Sequence, residues 1–177
     1  AIALGPPTKG NAILLTPPPD TAALEYYNRG RLLATQLTLQ VPKRHRSDRG
    51  LADLFVLSLY GNVDDHDEAD ALLEATEDWV AHSFPDCPVL IGGDFNLENS
   101  PTLDRWRDSG HLLDLMVHHS VARNRDVANT TATRRIDQVW ATGEAAALVE
   151  DAWVEDLTDA SFKTHKTLAV RLRLEAF

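Results

Sequence analysis

Several residue types and patterns are scarce in this sequence. It has a single cysteine, Cys87, in 177 residues, so an internal disulfide framework is excluded and a reducing, intracellular location is expected. No apolar run approaches the roughly 20 residues that cross a bilayer, so we expect no integral membrane segment. Basic residues are outnumbered 17 to 27 by acidic ones, for a net charge of −10. That balance argues against broad, non-specific adhesion to nucleic acid.

What remains is sufficient for one folded unit. Hydrophobic residues make up 44% of the chain, which includes four tryptophans, so a substantial core can form without disulfides or metals. The sequence has no internal repeat, low-complexity segment or linker. We therefore predict that residues 1–177 form a single domain, either as a monomer or as part of a longer polypeptide.

The most informative segment is residues 88–96, which read Pro-Val-Leu-Ile-Gly-Gly-Asp-Phe-Asn. Its apolar run predicts a buried strand. Side chains alternate along a strand, so Asp94 and Asn96 should share one side while Phe95 packs inward. The two glycines lack a Cβ and allow a phosphate or another backbone to approach closely. An ordinary Asx turn is the alternative, but the apolar run and the glycine pair favour a functional site.

Three other segments can be compared with this one, in chain order. They are Leu57–Asn62 (Leu-Ser-Leu-Tyr-Gly-Asn), Arg135–Trp140 (Arg-Ile-Asp-Gln-Val-Trp), and Thr164–Lys166 (Thr-His-Lys) with the strand that follows it. Together with residues 88–96, they resemble the motifs of the endonuclease/exonuclease/phosphatase superfamily. That superfamily includes deoxyribonuclease I, abasic-site endonucleases, inositol-phosphate phosphatases, sphingomyelinases and retrotransposon endonuclease domains.

The hydrophobic pattern is compatible with the fold that this resemblance implies. Strands are expected at Asn11–Leu15, Leu33–Leu39, Leu54–Tyr60, Ile136–Ala141 and Thr167–Leu174, and helices at Asp67–Ser83 and Pro101–Ser109. The first three strands are typical of an antiparallel meander. The resemblance implies an α+β fold, a two-layer αβ sandwich with mixed, largely antiparallel sheets of the deoxyribonuclease I type.

The resemblance also assigns roles to residues. Asp94 would orient or deprotonate the attacking water, and Asn96 would hydrogen-bond that water or a phosphate oxygen. His165 would stabilise the oxyanion or supply a proton, while Asp137 would fix the histidine tautomer. Tyr60 would donate its hydroxyl to the phosphate, although an ordinary aromatic residue at a strand end is an equal alternative.

Substrate binding is expected from a few polar and basic residues at the rim. Asn62, Arg134 and Lys163 are the candidates, and Arg135 and Lys166 could contribute to the same rim. A further basic run, residues 43–49, is better interpreted as a solvated loop. The implied cofactor is Mg²⁺, with Mn²⁺ as a substitute.

Departures from the family pattern modify these expectations. The family's metal-binding glutamate lies on a strand upstream of the one that Ala1–Leu15 resembles, so the resemblance implies a chain without the N-terminal part of the domain. Thr164 stands where the family usually has aspartate, and Asn62 follows Tyr60 one residue too early. Asp94 would then be a weak metal ligand without its usual glutamate partner, and hydrolysis by this chain would be weak.

Three functions remain open. The leading hypothesis is a metal-dependent phosphodiester hydrolase, most simply an endonuclease acting on the nucleic-acid backbone. A small-molecule or lipid phosphatase of the same superfamily is the second, and the acidic balance favours it to some extent. The third is a non-catalytic relic or binding module, suggested by the missing glutamate and by Thr164.

Overall fold

The structure is a computed structural model that describes residues 12–40, 51–155 and 164–173. These ranges contain strands and helices in an α+β arrangement. The strands are β1 (Ala12–Leu15), β2 (Leu32–Gln40), β3 (Leu51–Tyr60), β4 (Val89–Asp94), β5 (Leu113–Asp114), β6 (Asp137–Ala141), β7 (Val149–Glu155) and β8 (Thr167–Leu172). The helices are α1 (Ala22–Asn28), α2 (His66–Ser83), α3 (Pro101–Ser109), α4 (Leu115–Ala122) and α5 (Gly143–Ala146).

The strands form a large mixed sheet and a small antiparallel one. The large sheet has six strands in the order β1-β2-β3-β4-β6-β5, and the small sheet pairs β7 with β8. Strands β1, β2 and β3 form the expected antiparallel meander. Strand β3 pairs with β4 in parallel because helix α2 connects them, and β6 pairs with β4 and β5 in antiparallel fashion. The predicted α+β class with mixed sheets is confirmed.

Local sequence signals fix the two predicted helices. Asp65 caps α2 by accepting a hydrogen bond from the Glu68 backbone N–H at 3.0 Å. Ser100 caps α3 in the same way, Pro101 occupies its first turn, and Gly110 ends it in a left-handed conformation at φ 68°. Both caps satisfy N–H groups that a helix start leaves unpaired.

Two hydrophobic clusters lie on opposite faces of the large sheet. We call the first the helix-covered face, because helices α1, α2 and α3 pack there on strand residues such as Leu57, Ile91 and Trp140. We call the second the small-sheet face, because β7, β8, α4 and α5 pack there on strand residues such as Leu54 and Val139. Both faces of the sheet are apolar, so a polar functional site is expected at the ends of the strands.

Sequence reasoning missed some elements and misjudged one strand end. Helices α1, α4 and α5 and strands β5 and β7 were not predicted. The strand expected to continue through Asn96 ends at Asp94, where the chain turns with Asn96 at φ 54°. Residues 42–50, 163 and 174, which carried predicted loop, rim and strand positions, lie outside the described ranges.

Candidate active site

Three polar side chains form a row across the ends of adjacent strands. Tyr60, the last residue of β3, pairs with Asp94, the last residue of β4, and Asp94 pairs with Asp137, the first residue of β6. Residues that pair directly across a sheet project from the same face, which here is the small-sheet face. We call Tyr60, Asp94 and Asp137 the polar row.

His165 reaches the polar row from the small sheet. It lies just before β8, and its Nδ1 atom is 2.9 Å from Asp137 Oδ2 and 4.0 Å from Asp94 Oδ2. The predicted contact between Asp137 and His165 is therefore present. Because an ionised carboxylate only accepts hydrogen bonds, Nδ1 carries a proton, and this N–H donates a hydrogen bond to Asp137. The other ring nitrogen, Nε2, is then the one that can exchange a proton with a ligand.

The carboxylates of the row influence each other. The side chains of Asp94 and Asp137 are 21% and 14% exposed. Burial raises the pKa of Asp94, and the negative charge of Asp137 raises it further. The hydrogen bond from the Asn96 backbone N–H and the charges of His165 and Arg134 oppose that rise without cancelling it. Asp94 is therefore a better base than an ordinary exposed aspartate.

Glycines allow β3 and β4 to bring Tyr60 and Asp94 together. The Gly61 N–H donates to the Asp94 carbonyl at 2.8 Å, and a Cβ on Gly61 would lie 2.0 Å from the Phe95 carbonyl oxygen. Gly93 has φ 149°, and a Cβ there would lie 2.0 Å from the Leu59 carbonyl oxygen. The close approach predicted for the glycine pair is thus an approach of backbone to backbone at Gly93.

Asn96 supports the row from the turn that follows β4. Its backbone N–H donates to Asp94 Oδ1 at 3.0 Å, and its side-chain amide donates to the Gly61 carbonyl at 3.0 Å. Asn96 is only 7% exposed. The Asx turn and the functional site, weighed as alternatives in the sequence, therefore coexist here. The alternation that placed Asn96 beside Asp94 was wrong, because the strand ends before it.

The candidate rim residues differ in whether their polar groups are already bound to other residues of the protein. The Asn62 amide donates to Glu68, and its Oδ1 accepts from the Asp64 N–H at 3.0 Å, so it serves the turn that leads into α2. Arg135 forms a bidentate pair with Asp114, at 2.9 and 2.7 Å, inside the protein. Arg134 is exposed, and its charge reaches Asp94. The structure does not describe Lys163.

Thr130 is a positioning residue that the sequence did not reveal. It is fully buried at 0% exposure. Its hydroxyl accepts from the Asp137 N–H at 3.0 Å, and its carbonyl accepts from the Lys166 N–H at 2.7 Å. Thr130 thus ties the start of β6 to the residue after His165. A threonine in a polar loop gives no pattern that distinguishes this role.

Arg31 is a second residue that sequence analysis missed. Its guanidinium carbon lies 4.9 Å from the centre of the Tyr60 ring, and its Nη1 donates to the Gly61 carbonyl at 3.2 Å. The Tyr60 ring itself is largely open, since the residue is 51% exposed. Arg31 precedes the alternating residues of β2, and a basic residue at a strand start is too common to indicate a site.

The same carboxylates provide a group that could hold a metal ion. Ligand atoms of Asp94, Asp137 and His165 all lie within 4.8 Å of one another. Two carboxylates suit a hard cation such as Mg²⁺, which takes oxygen ligands and keeps water or phosphate in its remaining positions. A cation would also offset the repulsion that raises the pKa of Asp94. The donor set therefore fits a divalent cation held by the carboxylates, with His165 kept for Asp137.

Comparisons with known proteins agree with this architecture. No family model and no curated protein matches the sequence. Among solved structures, the endonuclease domain of TRAS1, a telomere-specific non-LTR retrotransposon, is similar with a TM-score of 0.60 at 16% identity. That match covers 93% of this chain and 68% of the TRAS1 domain.

Two further structures show the same likeness. An endonuclease/exonuclease/phosphatase family protein from Leptotrichia buccalis has a TM-score of 0.53 at 15% identity, over 79% of this chain and 53% of its own. The 3′ phosphatase NExo from Neisseria, bound to product DNA hairpin, has a TM-score of 0.50 at 13% identity, over 80% of this chain and 64% of its own. The chain thus spans roughly half to two thirds of these proteins. It has the deoxyribonuclease I-like fold of endonuclease/exonuclease/phosphatase proteins, as its motifs predicted.

Proposed function

We propose that this chain is a phosphodiester hydrolase that acts on the nucleic-acid backbone and depends on a divalent cation. The observation that carries the proposal is the convergence of three side chains. His165 Nδ1 lies 2.9 Å from Asp137 Oδ2 and 4.0 Å from Asp94 Oδ2. The residues belong to three separate segments, and a chance occurrence of the motifs would not bring them together. None of the described helices is long and apolar enough to cross a bilayer.

The chemistry follows from these positions. Asp94 lies in the polar row, where its carboxylate accepts a proton from the water that attacks phosphorus. The bond from phosphorus to the leaving oxygen then breaks, and that oxygen needs a proton or a positive charge beside it. A protonated His165 provides both from Nε2, while its Nδ1–H is held by the Asp137 carboxylate. The Asp94 and Asp137 carboxylates would hold a divalent cation, which supplies positive charge to the phosphate oxygens.

Nucleic acid is the proposed substrate class because of the solved neighbours. The TRAS1 structure is an endonuclease domain, and NExo was solved with a DNA hairpin. NExo is a 3′ phosphatase, which makes removal of a terminal phosphate from DNA the second candidate for this chain. Both reactions place one phosphate at the polar row, so the same residues serve either.

Nicking of supercoiled plasmid with Mg²⁺ or Mn²⁺, beside an EDTA control, tests the proposal. His165→Ala should lower turnover by roughly 10²–10⁴-fold, because it removes acid–base help. Asp94→Ala should be at least as damaging. His111→Ala is the matched control, since this histidine is exposed and lies away from the row. Full cleavage in EDTA, or near-normal turnover in both site variants, would contradict the mechanism.

A further inference from the structure

Gln138 is a buried polar side chain that the proposed chemistry does not use. It follows Asp137 in β6, and its exposure is 0%. Because side chains alternate along a strand, Asp137 projects from the small-sheet face and Gln138 from the helix-covered face, as Trp140 does. Its partner across the sheet is Gly93 of β4, which has no side chain. A buried amide costs free energy unless its donor and acceptor atoms are satisfied, so the partners of Gln138 indicate its role.

Both ends of the Gln138 amide are bound. Its Oε1 atom accepts from the Trp140 indole N–H at 3.0 Å, and its Nε2 atom donates to the Leu97 carbonyl at 2.7 Å. An indole nitrogen can only donate, so Trp140 fixes which end of the amide is the oxygen and directs the donor towards Leu97. Trp140 is itself fully buried and packs edge-on against Trp106, with ring centres 5.3 Å apart. The core therefore holds the amide in one orientation.

Leu97 belongs to the turn that follows β4 and carries Asn96. Asn96 has a left-handed φ of 54°, a conformation that residues other than glycine seldom adopt, so its surroundings have to hold it there. On one side, the Phe95 N–H donates to the Ile136 carbonyl at 2.9 Å. On the other side, the Leu97 carbonyl accepts from Gln138. Residues of β6 and just before it thus fasten the turn on both sides of Asn96.

We infer that Gln138 is a positioning residue for the reaction at the polar row, because it holds the turn from which Asn96 fixes the Asp94 carboxylate. The inference rests on the proposed function and deepens it. Gln138 lies on the opposite face of the sheet from the polar row, so its effect passes through Leu97 and Asn96. The Asn96 N–H binds Asp94 Oδ1 at 3.0 Å, which leaves Oδ2 for the attacking water. A looser turn lets the carboxylate rotate and misplaces that oxygen.

Kinetics of Gln138→Met test the inference. Methionine is unbranched and flexible like glutamine but has no amide, so the core stays filled while the Leu97 carbonyl loses its donor. On a DNA oligonucleotide, kcat per folded molecule should fall about 10-fold and KM should change less than about 2-fold, because the lost contact positions a carboxylate and binds no substrate. Trp140→Phe keeps an aromatic ring but removes the N–H that orients Gln138. Its kcat should fall between those of wild type and Gln138→Met.

Amide hydrogen exchange, followed by NMR, gives a second readout that needs no activity. In Gln138→Met, the Asn96 N–H should exchange about 10-fold faster, because its turn opens more often. Leu57→Ala destabilises the same buried face without removing a hydrogen bond from the turn, so kcat per folded molecule and Asn96 exchange should both stay at wild-type values. Gln36→Met makes the same chemical change on β2 and should also behave like wild type. Melting temperatures of all variants verify folding.

The possible results separate the positioning role from the proposed function. A Gln138→Met variant with wild-type kcat, whether or not Asn96 exchanges faster, would overturn the positioning role and leave the proposed function standing. A Leu57→Ala variant with the same loss of kcat per folded molecule would assign the effect to general destabilisation and overturn the role as well. A wild-type protein that leaves the oligonucleotide uncleaved, with Mg²⁺ or Mn²⁺ present, would overturn the proposed function and the positioning role with it.

Discussion

The two faces of the large sheet differ in how completely they are covered. On the helix-covered face, Leu57, Ile91 and Trp140 have 0% exposure. On the small-sheet face, Leu37 and Val56 are only partly buried, as are the hydrophobic residues of β8. One sheet therefore has a closed side and a more open side.

The difference shows how stability and chemistry are separated in this fold. The polar row and His165 belong to the open side, at the end of the strands, where a phosphate can reach them. Residues that pack α1, α2 and α3 are on the closed side. Burial of apolar surface is the main stabilising contribution to folding, so the closed side should dominate the free energy of unfolding, and the open side should dominate activity.

The first prediction compares the same substitution on the two faces. Leu57→Ala, on the closed side, should lower the free energy of unfolding by about 2–5 kcal/mol, because it leaves a cavity in a fully buried cluster. Leu37→Ala, on the neighbouring strand and the open side, should cost about 1 kcal/mol, since less apolar surface is lost. Urea denaturation of both variants measures the difference.

Equal losses at the two positions would break the distinction between the faces. A larger loss for Leu37→Ala than for Leu57→Ala would reverse the distinction. Hydrolysis by the folded fraction should be similar in both variants, because neither side chain belongs to the polar row.

Much of this organisation could be predicted from the sequence. Helices α2 and α3 carry capping residues directly before them, and the strands of the meander alternate or run apolar, so local signals determine both. The candidate residues Asp94, Asp137 and His165 were named from motifs that resemble those of a known family. The contact of 2.9 Å between Asp137 and His165 was expected from the role that the resemblance assigns to Asp137.

Other features depend on contacts that no local pattern contains. Helix α4 lies in a short apolar segment whose length suits a strand equally well. Asn96 leaves the strand because its backbone N–H bonds to Asp94, which alternation alone does not predict. Arg31 and Thr130 gain these contacts only when distant segments meet, because Arg31 bonds to the Tyr60 carbonyl, 29 residues away, and Thr130 accepts from the Lys166 N–H.

The second prediction concerns Thr130, which connects the start of β6 to the residue after His165. Thr130→Val keeps the shape of the side chain but removes the hydroxyl that accepts from the Asp137 N–H. Leaving a buried N–H unsatisfied costs roughly 1–3 kcal/mol, and the Asp137–His165 contact should loosen. We expect kcat to fall about 10-fold with little change in KM, measured on an oligonucleotide.

Thr130→Ser should restore most of the turnover, since it keeps the hydroxyl. Thr133→Val, at an exposed position of the same loop, is the control and should behave like wild type. A Thr130→Val protein with unchanged kcat would show that Asp137 needs no support from this loop.

The third and smallest predicted effect is a pH dependence of stability on the open side. His119 in α4 is 8% exposed, and its Nε2 has no hydrogen-bond partner within the described structure. Burial lowers the pKa of His119, and the nearby His118 lowers it further. Asp151, 3.9 Å from Nδ1, opposes this only in part, because Arg123 and Arg125 already pair with its carboxylate.

The sign follows from the direction of that shift. The unfolded chain takes up the His119 proton near pH 6.5, whereas the folded protein takes it up only at lower pH. The contribution of neutral His119 is therefore fully present above about pH 6.5 and is lost as pH falls below that value.

Between pH 7.5 and 5.5, the melting temperature of wild type should fall more than that of His119→Leu. His111→Leu, at an exposed position outside α4, should retain the wild-type slope. Parallel curves for wild type and His119→Leu would mean that water or movement of α4 solvates the imidazolium in the folded state.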